Sequence, residues 1–171
     1  MKSGSTNELP TTSEWDRWVD HHAPKLLLFA RQQSRCEADA QDVVQEAIVE
    51  SWQRQTDNAP PPLSLVFATI RRRAIDLARS QERRTRRETV AQTSPECWFD
   101  HAAEDRERVR LIQAALGQLP AMYREVITLR IWGELTYAEL AEVLGVPVNT
   151  AASRYRYGLD ELRKLTKEVL T

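Results

Sequence analysis

The stretch GVPVNTAASRYRYGL, from Gly145 to Leu159, sets Arg154, Tyr155, Arg156 and Tyr157 in a row. A guanidinium is a planar fork of donors that can pair with a guanine edge or hold a phosphate. Asn149, Thr150 and Ser153 add short hydrogen-bonding side chains just upstream. At about 100° per residue, Ala151, Tyr155, Leu159 and Leu162 share one side of a helix, the core side. Asn149, Ser153, Arg156 and Asp160 fall opposite, with Tyr157 beside them and Arg154 on the flank. Polar side chains in the first turns of a second helix are what a helix-turn-helix offers the major groove. Arg156 then reads a base edge, Arg154 holds a phosphate and Tyr155 mainly packs. The plain alternative is an amphipathic terminal helix with a solvated face; the turn in front of it favours DNA.

A second cationic stretch, IRRRAIDLARSQERRTRRE, carries Arg71, Arg72, Arg73, Arg79, Arg83, Arg84, Arg86 and Arg87 against Asp76, Glu82 and Glu88. The formal net charge of the chain is −1, so positive charge gathered on one helix and its tail marks a phosphate-facing surface. Phe67 on the same helix and Trp52 on the one before are aromatics of the kind that stack unpaired bases. The helix before it is acidic: Asp42, Glu46 and Glu50 recur every four residues, with Asp39 and Gln45 nearby. Like charges at that spacing repel by a few tenths of a kcal/mol per pair. The stripe repels DNA and suits a basic protein partner.

Enzymatic chemistry finds little support. His21, His22 and His101 have no metal-ligand spacing with cysteine or with each other, and no G-x-x-x-x-G-K-[ST] or G-x-G-x-x-G phosphate loop is present. No catalytic, cofactor-binding or metal-ligating residue is expected. Cys36 and Cys97 belong to no CxxC pair and read as free thiols of a reducing compartment. No apolar run approaches the ~20 residues that span a bilayer, and the first residues lack a signal-peptide core, so a cytoplasmic protein is expected.

The elements that must position these residues are helices. Only 5 glycines occur, strand-like alternation is scarce, and Leu, Ala, Arg, Glu and Gln fill the periodic segments. The expected fold is all-α: two small helical domains joined by a flexible linker, the C-terminal one a helix-turn-helix. Residues 1–12 form a polar lead-in, 13–88 the first domain, 89–104 the linker and 105–171 the second domain. Trp15, Trp18, Val19, Leu26, Leu27 and Phe29 suit one or two helices bending near Pro24. The next puts Val44, Ala47, Ile48, Ser51 and Trp52 on one stripe and ends before three consecutive prolines. The arginine-rich helix turns Phe67, Ile70, Ala74, Leu77 and Ala78 inward. Trp98 and Phe99 in the linker are placed to dock on one of the domains. Thr136 and Glu139 have the spacing of a capping box. Gly145 suits a turn with positive φ, and Pro147 opens the last helix.

Three ordered stretches resemble a known family. DAQDVVQEAIVESW is similar to the segment with which extracytoplasmic-function sigma factors bind the clamp helices of bacterial RNA polymerase. VFATIRRRAIDLARSQERR resembles the helix they use to melt and read the −10 promoter element. LPAMYREVITLRIWGELTYAELAEVLGVPVNTAASRYRYGLDELRK looks like their −35-reading domain. The resemblance covers nearly the whole chain. It implies that Asp39, Asp42, Val43, Gln45 and Glu46 contact core polymerase, and that Phe67, Arg71, Arg72, Arg73, Asp76, Arg79 and Arg83 form the −10 surface. It implies also that Asn149, Thr150, Ala152, Ser153, Arg154, Arg156 and Tyr157 face the −35 element. An anti-sigma factor is implied as a partner by analogy alone. Two departures stand out. The family's usual GTVKSR is NTAASR here, which removes a glycine and a basic side chain and implies a different −35 preference. The Asn common before R-A-I-D is Arg72, which alters the −10 base preference. The competing readings are a helix-turn-helix regulator working without polymerase and a degenerate relative that binds only proteins.

Overall fold

A computed structural model of the chain describes residues 12–57, 59–85, 97–100 and 106–169. Among the described residues the regular structure is seven helices, with no strand. The N-terminal three are α1 (Thr12–Gln33), α2 (Glu37–Gln53) and α3 (Leu63–Thr85). The C-terminal four are α4 (Arg106–Gln118), α5 (Ala121–Ile131), α6 (Tyr137–Leu144) and α7 (Val148–Val169).

α1 passes through Pro24 as one helix, one of the two forms the sequence allowed. Beyond Pro24 it buries Leu26, Leu28, Phe29 and Ala30. The stripe of α2 faces inward as its period demands, with Val44, Ala47, Ile48 and Ser51 buried and Trp52 half-buried. After the prolines, the Pro62 carbonyl accepts from Leu65 and Val66 at 3.0 and 3.3 Å and starts α3. α3 then seats Val66, Phe67, Ile70 and Ala74 against α1 and α2.

In the second domain α5 is covered over most of its circumference: Glu125, Val126, Ile127, Thr128 and Leu129 are buried in succession. A helix with so little solvent-facing surface is a central one, and α1, α6 and α7 surround it. Gly158 lets α7 approach closely, since a Cβ there would meet Ile127 Cδ1 at 3.0 Å and Tyr123 Cβ at 3.1 Å. α6 also packs on α3 and α5 on α1, so a single core of buried side chains runs from Leu26 to Ala151 across both halves.

The linker docks as expected where it is described. Trp98 lies under the Arg124 guanidinium, 5.6 Å from its ring centroid, and Phe99 packs on Trp132 at 5.3 Å. Residues 1–11 of the lead-in and 86–96 and 101–105 of the linker region, with Arg86, Arg87, Glu88 and His101, lie outside the described residues. Cys36 carries a free thiol, and the Cys97 thiol donates to the Phe99 carbonyl at 3.0 Å.

Candidate nucleic-acid and polymerase interfaces

The turn in front of α7 is built by local chemistry. The Thr136 Oγ1 accepts from the Glu139 N–H at 3.2 Å, and Glu139 Oε2 accepts from the Thr136 N–H at 2.7 Å, a reciprocal capping box. α6 stops at Gly145, whose φ of 65° is the left-handed conformation that only glycine takes at no steric cost. The Val146 N–H returns to the Ala141 carbonyl at 3.1 Å, and the Pro147 carbonyl accepts from Thr150 and Ala151 to open α7.

α7 sits with Ala151 and Gly158 buried and Tyr155 half-buried, its ring edge-on to Tyr137 at 6.0 Å. Tyr137 is in turn capped by Arg130, 5.1 Å from its ring, while Arg130 donates to the Leu135 carbonyl at 2.8 Å. With that side anchored, Asn149 and Arg156 stand exposed, Thr150, Ala152, Ser153 and Arg154 are half-buried, and Tyr157 is 52% exposed. Tyr137, Asn149, Ala152, Ser153, Arg156 and Asp160 line an open groove of about 570 Å³. Arg156 lies over the Tyr157 ring at 4.9 Å and donates to its hydroxyl at 3.3 Å, which holds the guanidinium beside the groove.

The arginines of α3 are arranged differently from their sequence reading. Arg72 donates to Glu50, and Arg73 pairs with both Glu46 and Glu50, so two acids of α2 hold two arginines of α3. Arg54 joins the same Glu50 carboxylate at 2.6 Å. Burial pushes the Glu50 carboxyl up, but the hydrogen bonds from Arg72 and Arg73 outweigh it and hold the group below its ordinary value. The acidic stripe is therefore partly neutralised from within the fold. Arg71 turns the other way and meets Glu125 of α5 at 3.0 Å. Asp76, Arg79 and Arg83 are exposed, and Arg83 donates to the Arg79 carbonyl at 3.3 Å.

Two residues of the expected interfaces are corrected. Phe67 is 1% exposed and edge-on to Phe29 at 5.5 Å; it fills the core and has no open face for a base. Val43 is 3% exposed and is likewise a core residue, not a contact for a partner. Trp52, the other aromatic near the arginines, meets Trp15 edge-on at 5.0 Å. On α2, Asp42, Gln45 and Glu46 remain exposed, and Asp39 accepts from Gln81 at 2.8 Å. Asp39, Asp42, Glu46, Arg72, Arg73 and Asp76 border a groove of about 410 Å³ between α2 and α3.

Sequence reasoning missed Glu125, Gln32 and Thr128, which are buried polar residues between the two halves. The signal for Glu125 was present as a lone acid within the run MYREVITL.

Comparisons with known proteins agree with this geometry. Residues 18–84 match the family model for sigma-70 region 2, and residues 110–170 the model for sigma-70 region 4. The ECF RNA polymerase sigma factor SigL of Mycobacterium tuberculosis is 33% identical over 159 residues, covering 88% of this chain and 87% of the relative. The ECF RNA polymerase sigma factor RpoE of Cereibacter sphaeroides is 31% identical over 156 residues, covering 84% and 81%. RNA polymerase sigma factor SigV of Bacillus subtilis is 32% identical over 158 residues, covering 90% and 92%. Among solved structures, the fold is similar to that of the sigma factor RpoE of Bartonella quintana, captured with the anti-sigma factor NepR. That match has a TM-score of 0.68 and 21% identity, over 91% of this chain and 98% of the other. CnrH, captured with the cytosolic domain of CnrY, gives a TM-score of 0.63 and 25% identity, over 93% and 91%.

Proposed function

We infer the function from one premise: the chain belongs to the extracytoplasmic-function (ECF) family of RNA polymerase sigma factors. It is a promoter-specificity subunit that binds core RNA polymerase and directs promoter recognition, −10 melting and initiation. Bond-making in that process belongs to polymerase, and this chain supplies binding energy. Opening base pairs costs a few kcal/mol, which contacts to the exposed strand must offset.

The residue assignments are our proposal. Asn149, Thr150, Ala152, Ser153, Arg154, Arg156 and Tyr157 face the −35 duplex, with Arg156 on a base edge and Arg154 on a phosphate. Arg71, Arg72, Arg73, Asp76, Arg79 and Arg83 serve the −10 strand, and Phe67 supports them from the core. Asp39, Asp42, Gln45 and Glu46 dock on the polymerase clamp helices. The observation that carries the reading is the outward face of α7: Asn149 and Arg156 are exposed behind a capped, glycine-terminated turn while Ala151 and Gly158 anchor the opposite side.

Among the described residues no helix is long and apolar enough to cross a membrane, which fits work in the cytoplasm, where polymerase and promoter DNA are. One solved neighbour was captured with an anti-sigma factor, and a partner of that class is proposed here too. The test mixes the purified chain with core polymerase and a random promoter library and sequences the transcripts' upstream regions. A shared −35 and −10 pattern is expected. Asp42→Lys with Glu46→Lys should abolish polymerase binding, and Arg154→Ala with Arg156→Ala should erase the −35 pattern. Absence of both initiation and complex formation would overturn the reading.

A further inference from the structure

The outward face of α7 carries its hydrogen-bonding side chains at intervals that match the spacing of base pairs. Asn149 and Arg156 are both exposed and stand seven residues apart. An α-helix rises about 1.5 Å per residue, so they are separated by about 10.5 Å along the axis. Seven residues fall only about 20° short of two full turns, so the two side chains point nearly the same way. Stacked bases advance about 3.4 Å each. A helix lying along the major groove therefore presents Asn149 and Arg156 to base pairs three steps apart.

We propose, on the −35 reading above, that α7 reads a motif in which an adenine and a guanine occupy base pairs three steps apart, Asn149 taking the adenine, Arg156 the guanine, and Ala152 a thymine methyl between them. The pairings follow from donor and acceptor patterns. An Asn amide donates to adenine N7 and accepts from its N6 amino group, whereas an Arg fork donates twice, to guanine O6 and N7. Ala152 lines the same groove as Asn149 and Arg156. A methyl side chain has no hydrogen bond to offer, and the apolar group it meets in the major groove is the C5-methyl of thymine. Ser153 accepts either kind of base edge and discriminates little.

The structure sets both ends of this strip. Pro147 and Val148 precede Asn149, which is the first hydrogen-bonding side chain of the helix. One turn beyond Arg156 the next residue in line is Asp160, whose carboxylate accepts from Arg163 Nη1 at 2.9 Å. That acid is already committed and would repel the phosphate backbone, so reading ends at Arg156.

Arg156 is also held for a base edge. Its guanidinium lies 4.9 Å over the Tyr157 ring, and Nη2 donates to the Tyr157 hydroxyl at 3.3 Å. Stacking fixes the plane of the fork, and the bond to the hydroxyl spends one of its several N–H donors. A fork with a fixed plane loses less freedom on forming two parallel bonds than a swinging one. This favours a bidentate base contact over a single bond to a phosphate, and it makes Tyr157 a positioning residue for Arg156. The duplex concerned is B-form, since the major groove of an A-form helix is too deep and narrow for side chains to read.

The test uses the full chain with core polymerase. A duplex library is randomised across the −35 region upstream of a −10 sequence that supports initiation, and the retained duplexes are sequenced. The wild type should enrich an A and a G whose pairs lie three steps apart, with a T between them. Asn149→Ala should flatten the adenine column alone and Arg156→Ala the guanine column alone, each preference being about 5- to 100-fold in the wild type. Circular dichroism should show unchanged helicity for both. Tyr157→Phe keeps the ring and should keep most of the guanine preference, whereas Tyr157→Ala should lower it and spare the adenine column. On one enriched duplex, 7-deazaguanine at the guanine should weaken wild-type binding and leave Arg156→Ala binding unchanged. Deoxyuridine in place of the enriched thymine should weaken wild-type binding. A motif of another spacing, an adenine column that survives Asn149→Ala, a guanine column that survives Arg156→Ala or Tyr157→Ala undiminished, or indifference to the missing thymine methyl would each overturn the assignment it concerns, with −35 recognition itself still standing. A wild type that binds polymerase yet enriches no base in this window would sink the −35 reading and the base assignments together.

Discussion

Glu50→Gln is the substitution that most directly probes how α2 controls α3. The change keeps side-chain shape and removes the charge that Arg54, Arg72 and Arg73 share. A hydrogen bond to a charged group contributes about 1.5–3 kcal/mol, but the Arg72 side chain is 49% exposed and solvent screens its share. The net loss of stability is about 1 kcal/mol, which lowers Tm by about 2–4 °C for a chain of this size. The pH dependence has a definite sign. The folded carboxyl lies below its ordinary value of 4.5, so its contribution is complete above that value and fades as pH falls below it. Glu50→Gln should therefore flatten the stability curve on the acid side of about pH 4.5 and leave its shape at neutral pH unchanged.

Binding should move in the opposite direction. Each of Arg72 and Arg73 released to a phosphate steepens the salt dependence on single-stranded DNA by about 0.7 in log–log slope. For one to two such contacts, the ratio of mutant to wild-type affinity changes about 3- to 7-fold between 50 and 200 mM salt. The assay is fluorescence anisotropy of a labelled −10 non-template strand with the polymerase complex across that salt range. Polymerase affinity is measured separately, since Glu46 is one turn away. A lower Tm with an unchanged salt slope would refute the reasoning, because it would mean the arginines are structural and never reach the strand.

Three further outcomes test the scaffold. Gly145→Ala forces a Cβ into the left-handed region at φ 65° and should cost about 1–2 kcal/mol; since that Cβ meets nothing within 4 Å, the loss in thermal denaturation is backbone strain alone. Gly158→Ala overpacks α5 against α7, and Ile127→Val removes the Cδ1 that the new methyl would meet at 3.0 Å. The double variant should be less destabilised than the sum of the singles by about 0.5 kcal/mol or more, and additive denaturation midpoints would count against the close approach. The His22 pKa lies below 6.5, lowered first by burial and then by Lys25 and His21 against the opposing Glu134. Its stabilising effect is present above 6.5 and lost as pH falls, so His22→Gln should reduce the stability difference between about pH 7.5 and 5.5 in denaturant titrations.

The helices were legible because burial repeats with the helical period, and the turn before α7 because its chemistry is local. Thr136 with Glu139, and Gly145 with Pro147, specify their conformations within a few residues. The same period served Phe67 better than its neighbours did. Counting places it inward with Ile70 and Ala74, where it lies, whereas closeness to the arginines suggested a base-stacking role that its burial forbids. Partners of charged side chains were not legible. Arg71, Arg72 and Arg73 are consecutive, yet they point 100° apart and find Glu125, Glu50 and Glu46, which lie 54, 22 and 27 positions away. No pattern along the chain encodes such pairs.

Those pairs bear on the near-neutral charge. A protein whose basic face is uncompensated binds any duplex through counterion release, whatever its sequence. Here the arginines proposed for the −10 strand that lie nearest the core carry their own counter-ions, from α2 for Arg72 and Arg73 and from α5 for Arg71. A phosphate must displace a carboxylate at each, and that exchange gains little in an already paired site. Nonspecific attraction is thereby lowered at the surface proposed for melted DNA. Affinity there becomes conditional on whatever engages Glu46, the acid that pairs with Arg73. A basic helix docking on Asp42 and Glu46 would compete for the acid that holds Arg73, so on the proposed assignments polymerase binding and release of that arginine are coupled through Glu46.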